Sequence, residues 1–524
     1  MLTRGLLGSL LVLGGGLVAA ILPPSTPLLR HEGFAHLREW PPARLAALVA
    51  ILLGICLLTH AWVALCRHAA AARAAETDDA LALVRFTTVM WVAPLVLAPP
   101  LFSRDAWSYA AQGAVAAAGF SPYEHGPLIL HGPVVEAVDP MWMATPAPYG
   151  PLPLALGEAM AHQTGNPLML AIGHRLVALV GLALLAWAVP RLAGWCGSNP
   201  ALAAGLVVAS PLMLTNGVAG LHNDLLMVGL MAAALVLAVE RGWVSGAVLG
   251  GLAAAVKLPG GLVCLAVVLV TLAPGVRWPE RVRRLAQVAL VSVGTLLCLG
   301  VVTGLGHGWV HALSVPGTVE TPLSVTTQLS RLLGDVPAVR GAGTVLALGV
   351  AAWAALRWNT GERHTAVRAV AVVTGLLVLL SPVVHLWYLL WPLPFLAALP
   401  LRRSLAWLLV GGSIVAALFS PLEPSLRGDA RAIWVSTLVA LAGGALLLLG
   451  PGTRRLVDRL APLTRTPERV PWRARAGAGS GAGDRRALES RHAGVQVEEL
   501  LDRPGPREGL GALTRFAATR RDWP

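Results

Sequence analysis

Charge is scarce in this chain. Asp, Glu, Lys and Arg make up 13% of 524 residues, 56% are hydrophobic, and mean hydropathy is +0.68. Apolar runs of roughly 16 to 24 residues recur from end to end, about the length that crosses a bilayer. That pattern excludes a soluble globule built on one core. Lysine is nearly absent: Lys257 is the only one, and every other basic side chain is arginine. Cysteines number 5 (Cys56, Cys66, Cys196, Cys264, Cys298), lie in or beside apolar runs and lack metal-ligand spacing. They are expected to be small packing residues. No Gly-rich phosphate loop and no dinucleotide fingerprint appears, and no cytoplasmic domain is large enough to hold a nucleotide sugar. The formal charge of +13 lies largely in short loops and the tail, so it signals topology and not nucleic-acid binding.

What is present predicts an all-α polytopic membrane protein of about fourteen spans. They fall near 5–22, 43–66, 81–99, 168–190, 199–216, 224–240, 243–257, 259–273, 285–303, 341–356, 366–381, 383–399, 403–419 and 433–450. The short ones between 224 and 273 fit broken or re-entrant segments. The first run resembles a signal peptide, but no A-x-A-like site follows it and more spans do, so it is taken as the first span. With the N-terminus in the cytoplasm, Arg67, Arg73, Arg191, Arg241, Arg277, Arg281, Arg283, Arg284, Arg357, Arg363, Arg368, Arg402 and Arg403 fall inside. Arg30, Arg38 and Arg44 dissent in the first outer loop. The positive-inside rule thus places both termini in the cytoplasm. Residues 1–450 form the membrane domain and 451–524 a basic, flexible tail, with a Gly- and Ala-rich linker after Arg475. Two outer loops are long, 101–167 and 304–340, and long loops in compact proteins are commonly functional. The segment 105–118 is expected to form a short helix along the membrane surface.

Unusual polar residues gather on the outer side in this topology. Ser103, Arg104, Asp105, Ser108, Tyr109 and Gln112 follow directly on the apolar run that ends at Pro100. An ionised carboxylate at a membrane boundary costs free energy unless it has a partner or a task. Tyr123, Glu124, His125 and Tyr149 lie further along the same loop, Asn216, His222, Asn223 and Asp224 in a short outer turn, Lys257 at a span end, and His385, Trp387 and Tyr388 in another outer turn. Two readings stand for Lys257: a snorkelling side chain, or a compact ammonium positioned for a phosphate. Asn223 and Asp224 also suit a helix cap. His385, Trp387 and Tyr388 also suit interfacial anchors. For Trp107, Tyr123, Tyr149 and Trp387, packing competes with stacking on a sugar. An outward-facing enzyme without nucleotides needs an activated substrate delivered through the lipid.

The runs FSRDAWSYAAQG, GFSPYEHGP, TPAPYGPL, GLHNDLLM, VKLPG and SPVVHLWYLLW resemble the actinobacterial MptB-type polyprenol-phosphomannose-dependent alpha-(1→6)-mannosyltransferases. These have the GT-C fold of multi-spanning, lipid-sugar-dependent glycosyltransferases. The resemblance covers roughly residues 81–399 in order and leaves out the tail. It implies mannose transfer from polyprenyl-phosphate-mannose to a growing alpha-(1→6)-mannan of lipomannan, in the plasma membrane, with the site on the outer face. It implies Asp105 as general base. Beside it, the residues themselves offer Lys257, Arg104, His125 and His385 as candidates for the donor phosphate, and Tyr109, Tyr123, Tyr149, His222, Asn223, Asp224, Trp387 and Tyr388 as candidates around the substrates. No metal and no cofactor besides the lipid donor is expected. Two positions depart from the family pattern: Ala106-Trp107 stands where Val-Tyr is usual, and Leu386 replaces a proline. The competing readings are another polyprenyl-phosphate sugar, such as arabinose or glucose, on the same scaffold, and a transporter or flippase of lipid-linked sugars. Transporters place polar sites near the bilayer midplane between repeats. Here the polar residues lie at the outer edge and no repeat is visible, which favours the enzyme.

Overall fold

The computed structural model describes residues 1–315, 319–422 and 430–461. Among the described residues the protein is helical throughout, with no strand. Nine helices among the described residues are long and apolar enough to cross a membrane: Leu2–Ala19, Pro41–Ala71, Ala74–Leu97, Pro167–Trp195, Trp278–Val302, Val336–Arg357, Arg363–Leu380, Arg403–Leu422 and Arg431–Leu449. The other five expected spans are apolar helices too, but short or broken. Pro200–Val208 and Met213–Ala219 bend by 56° at their junction. That break carries Ser210 and Pro211, and a proline cannot continue the hydrogen-bond ladder. Asp224–Glu240, Trp243–Val256, Val263–Thr271 and the pieces between Leu386 and Ala397 complete the set. The chain is therefore a multi-pass membrane protein.

The short segments are short because they sit in the middle. Asp224–Glu240 is apolar nearly all round and buried on nearly all sides, as expected of a helix that meets protein and not lipid. Small residues allow the close approach. A methyl group at Gly229 would come within 2.5 Å of the Gly181 carbonyl oxygen, so Pro167–Trp195 and Asp224–Glu240 pack almost backbone to backbone, as helices do through small residues in membranes. By contrast, Trp278–Val302 and Arg431–Leu449 turn Leu290, Val301, Val302 and Leu446 outward, the face that lipid covers.

The first long loop, 101–167, is ordered. Its helix, Asp105–Ala117, ends within one residue of the expected boundary, and all but Ala114 and Ala117 are buried. It lies under other protein segments and is not an exposed surface helix. Gly113 makes this burial possible, since a methyl group there would lie 2.4 Å from the Gly157 backbone in the helix Pro151–Ala161. At the far end, Pro451–Leu460 forms a helix that buries Thr453, Leu456 and Val457, so the first residues of the expected tail are structured. The remainder of that tail, from 462 on, lies outside the described residues.

Candidate active site

Two irregular segments meet to build the site. The chain leaving Ala74–Leu97 hydrogen-bonds to the end of the bent pair, Leu101 N–H donating to Ala219 O at 3.0 Å. Each segment then passes through a left-handed residue, Phe102 at φ 66° and Leu221 at φ 59°. These are the only non-glycine residues of positive φ among the described residues. Such a conformation costs of order 1–3 kcal/mol and persists where the surroundings enforce it, often at functional sites. Phe102 turns the chain so that Ser103, Arg104 and Asp105 follow, and Leu221 does the same for His222, Asn223 and Asp224. Arg175, buried within Pro167–Trp195, enforces both turns. Its guanidinium donates to Val96 O at 2.8 Å, to Ala98 O, and to Ala219 O at 3.5 Å.

Two carboxylates face the junction. Asp105 opens its helix, with its N–H donating to Ser103 Oγ at 3.0 Å. Its Oδ2 lies 3.9 Å from His222 Nε2. His222 is held from behind, because its Nδ1 is 2.6 Å from Asn216 O. Asn216 Nδ2 in turn donates to Ser420 Oγ at 2.8 Å and Thr215 Oγ1 at 3.0 Å. The second carboxylate, Asp224, accepts from Lys257 Nζ at 3.0 Å and from Trp391 Nε1 at 2.6 Å, both on Oδ1. Lys257 caps Trp243–Val256, where Pro259 two residues on prevents further helix. Gly150 N–H donates to Val256 O at 3.1 Å, which brings the first long loop and its Tyr149 up to Lys257.

Aromatic rings wall the site. Lys257 Nζ lies 4.2 Å from the Tyr388 ring centre, 5.2 Å from Trp391 and 6.0 Å from Tyr149. Tyr388 and Trp391 stack at 4.4 Å. They are three residues apart in a 3₁₀ turn, in which side chains at i and i+3 eclipse. His222 stacks on Trp387 at 3.9 Å and His385 on Trp387 at 4.3 Å. Tyr109 meets Tyr149 edge-on at 5.2 Å. The second long loop fixes this wall: Ser324 and Thr326 donate to Ser381 O, Thr327 donates to Pro382 O, and Val384 N–H donates to Thr321 Oγ1.

Burial dominates the electrostatics. It pushes the Asp105 carboxyl above the ordinary range, against the pull of His222 and Lys257. It pushes His222 down, against Asp105. His385 falls to about 3 through burial first and Lys257 second, so it stands neutral at physiological pH. Several buried polar atoms here have no protein partner: Asp224 Oδ2, His222 Nε2, Asn223 Nδ2, Ser108 Oγ, Tyr109 Oη and Gln112 Oε1. Native interiors seldom leave such groups unsatisfied, and their concentration beside two carboxylates and a lysine fits a site for a polar substrate. No group of three or more His, Cys, Asp or Glu side chains among the described residues is arranged to hold a metal ion.

The structure brings together Asp105, Tyr109, Tyr149, His222, Asp224, Lys257, His385, Trp387 and Tyr388, with Asn223 beside Asp224. Asn223 makes no side-chain cap on its helix, so it is not the capping residue it suits in sequence. Arg104 follows the turn but makes no ion pair with Asp105. His125 and Tyr123 stand apart. His125 is exposed with its ring against Phe120. Tyr123 is buried with Ala147, Leu154 and Trp309 in a separate apolar cluster. Three residues that sequence reasoning passed over matter: Trp391, His174, whose ring lies 5.9 Å from Tyr109, and Arg175. The last two are polar residues inside an apolar span, a signal of function or of structure in membranes.

Comparison with known proteins agrees with this architecture. The alpha-(1->6)-mannopyranosyltransferase N-terminal domain matches residues 2–273, and the MptB C-terminal domain matches residues 317–449. Alpha-(1->6)-mannopyranosyltransferase A of Mycobacterium tuberculosis is 32% identical over 485 residues, covering 88% of this chain and 92% of that protein. A probable alpha-(1->6)-mannopyranosyltransferase of Mycolicibacterium smegmatis is 32% identical, covering 78% and 80%. Alpha-(1->6)-mannopyranosyltransferase B of Corynebacterium glutamicum is 30% identical, covering 75% and 72%. No solved structure matches the chain. The chain is thus a membrane glycosyltransferase that belongs to the alpha-(1->6)-mannopyranosyltransferase family.

Proposed function

We propose that this site moves mannose from polyprenyl-phosphate-mannose to a growing alpha-(1→6)-mannan of lipomannan, on the outer face of the plasma membrane, with both termini cytoplasmic. The observation that carries the reading is the presence in one site of a buried carboxylate, Asp105, and a lysine, Lys257, that aromatic rings and Asp224 hold in place. A beta-linked donor and an alpha product require inversion in one displacement. The acceptor hydroxyl loses its proton to Asp105 as its oxygen bonds to the anomeric carbon, and the bond from that carbon to the phosphate oxygen breaks. The raised Asp105 pKa makes it a better base, and such help typically contributes roughly 10² to 10⁴ in rate. The leaving phosphate gains negative charge, and a cation placed there favours the transition state over the ground state. An ammonium has three donors. Asp224 takes one of them on Lys257, which fixes the ammonium without consuming it. Arg104, next to Asp105 in the chain, is the second candidate cation. His385, being neutral, orients groups instead of adding charge. Tyr109, Tyr149, Trp387 and Tyr388 offer ring faces to sugars.

Donor class is the test. Purified protein with a short alpha-(1→6)-mannoside is given labelled mannose on polyprenyl phosphate or on a guanosine nucleotide. Label should move only from the lipid. Transfer from the nucleotide sugar alone would overturn the proposal.

A further inference from the structure

The contact between Asp105 and His222 has a property that the base assignment alone does not explain. Asn216 O accepts hydrogen bonds only, so the 2.6 Å contact places a proton on His222 Nδ1. The neutral ring then presents a bare Nε2 lone pair. That atom is buried, has no partner, and faces Asp105 Oδ2 at 3.9 Å. Two acceptors therefore look at each other across a gap with no proton between them. Trp387, stacked at 3.9 Å, and the left-handed turn at Leu221 fix the ring in that pose. A proton taken up by either atom closes the gap to a charge-assisted hydrogen bond of about 2.7–2.9 Å.

We infer that Asp105 and His222 act as one base, which leaves the acceptor's proton shared between Asp105 Oδ2 and His222 Nε2. The inference rests on the reading of Asp105 as the base. The step balances: the acceptor O–H bond breaks, its oxygen bonds to the sugar, the sugar–phosphate bond breaks with its electron pair to phosphate, and the proton stays on the pair until product leaves. Protonation takes the pair from a net charge of −1 to 0, and sharing gives the proton two buried holders. A carboxyl alone would hold the proton less firmly. The other titratable groups facing His222 are Asp224, Lys257 and His385. Of these, Asp224 and Lys257 already neutralise each other through their ion pair. The two members of the pair titrate together, so the acid limb of activity belongs to both and to neither alone.

The experiment compares kcat/KM against pH for wild type, His222→Gln, His222→Asn and Asp105→Asn, in the full-length protein with lipid-linked mannose and a short mannoside. The asparagine amide can still donate to Asn216 O but has no Nε2 acceptor. Both His222 variants should lose at least about tenfold in kcat, less than the roughly 10² to 10⁴ of a whole general base because Asp105 remains. Both should also shift the acid limb by about one unit to lower pH, because the second holder of the proton is gone. A purely structural His222 would lower the rate and leave the limb where it is, and that result overturns the inference. Should neither variant fold, nitrogen-15 spectra of histidine-labelled wild type decide. Protonation of His222 Nε2 must follow the acid limb, and an Nε2 that stays bare through the limb overturns the shared proton. Failure of the two readings is separable. An active Asp105→Asn removes the base itself, whereas an inactive Asp105→Asn with unshifted His222 variants removes only the sharing.

Discussion

Lys257 and Asp224 form an ion pair at 3.0 Å, and both side chains are nearly lost to solvent, at 13% and 1% exposure. A snorkelling lysine would extend toward the interface, not into an aspartate. Removing one partner of a buried pair typically costs 3–5 kcal/mol, while replacing both with apolar groups is often neutral. Lys257→Met is therefore expected to lower both stability and activity. Lys257→Met combined with Asp224→Leu should recover much of the stability and none of the activity. Thermal unfolding in detergent, alongside initial rates, checks the split. Recovered activity in the double variant would confine the pair to folding.

Asp105→Asn should cost at least about 10² in rate without loss of stability. The sign follows from burial, which raises the folded pKa of Asp105. The stability contributed by its neutral form is complete below the ordinary carboxylate value and lost as pH rises through the raised one. At neutral pH the amide should therefore unfold no lower than wild type. That advantage should shrink in acid, where the wild-type carboxyl takes up its proton. Wild-type activity should fall as pH drops through the same raised value. Unfolding temperatures across pH for both proteins test this, and a neutral-pH penalty for asparagine would contradict it.

Arg175 acts on the reaction through the backbone. It binds the carbonyls of Val96, Ala98 and Ala219, just ahead of the two left-handed turns. Hydrogen bonds from a charged group are worth about 1.5–3 kcal/mol each, so Arg175→Met should destabilise by at least about 3 kcal/mol. Arg175→Lys should recover part of that loss. In the lysine variant kcat should fall more than KM rises, since alignment of Asp105 with His222 suffers before substrate binding does. Equal effects on both constants would argue against positioning.

The proposed orientation is open to labelling. In a background without the five native cysteines, Leu128→Cys, at an exposed site in the first long outer loop, should react with an impermeant reagent from outside intact cells. Arg277→Cys, in an arginine-rich loop, should react only after permeabilisation. The reverse pattern would move the site to the cytoplasmic side.

Much of this was legible in the sequence. Polar islands at 103–112, 222–224, 257 and 385–388 stand out against apolar surroundings, and the structure joins them. Every expected apolar stretch is helical. The stretches at 224–240 and 243–257 come within one residue of the helices Asp224–Glu240 and Trp243–Val256. The break inside 199–216 was not legible, because hydropathy reports burial alike for a straight helix in lipid and a bent one inside protein. Nor could pattern reveal that Lys257 meets Asp224, since partners 33 residues apart are chosen by helix packing. Trp391 was hidden by its apolar run, although its spacing from Tyr388 suits stacking. His174 and Arg175 were hidden inside a 29-residue apolar helix. Tyr123 and His125 share a loop with Asp105, but the part of the loop that carries them packs elsewhere, while Tyr149 of the same loop reaches the site.

The central claim is that Asp105 directs inverting transfer of lipid-carried mannose. Its most direct measurement is linkage analysis of the product formed by wild type and Asp105→Asn from synthetic beta-mannosyl-phosphoryl polyprenol and a short alpha-(1→6)-mannoside. Nuclear magnetic resonance should show one new alpha-(1→6) linkage from wild type and none from the variant. A beta product, or the alpha product formed at an undiminished rate by Asp105→Asn, would contradict the account.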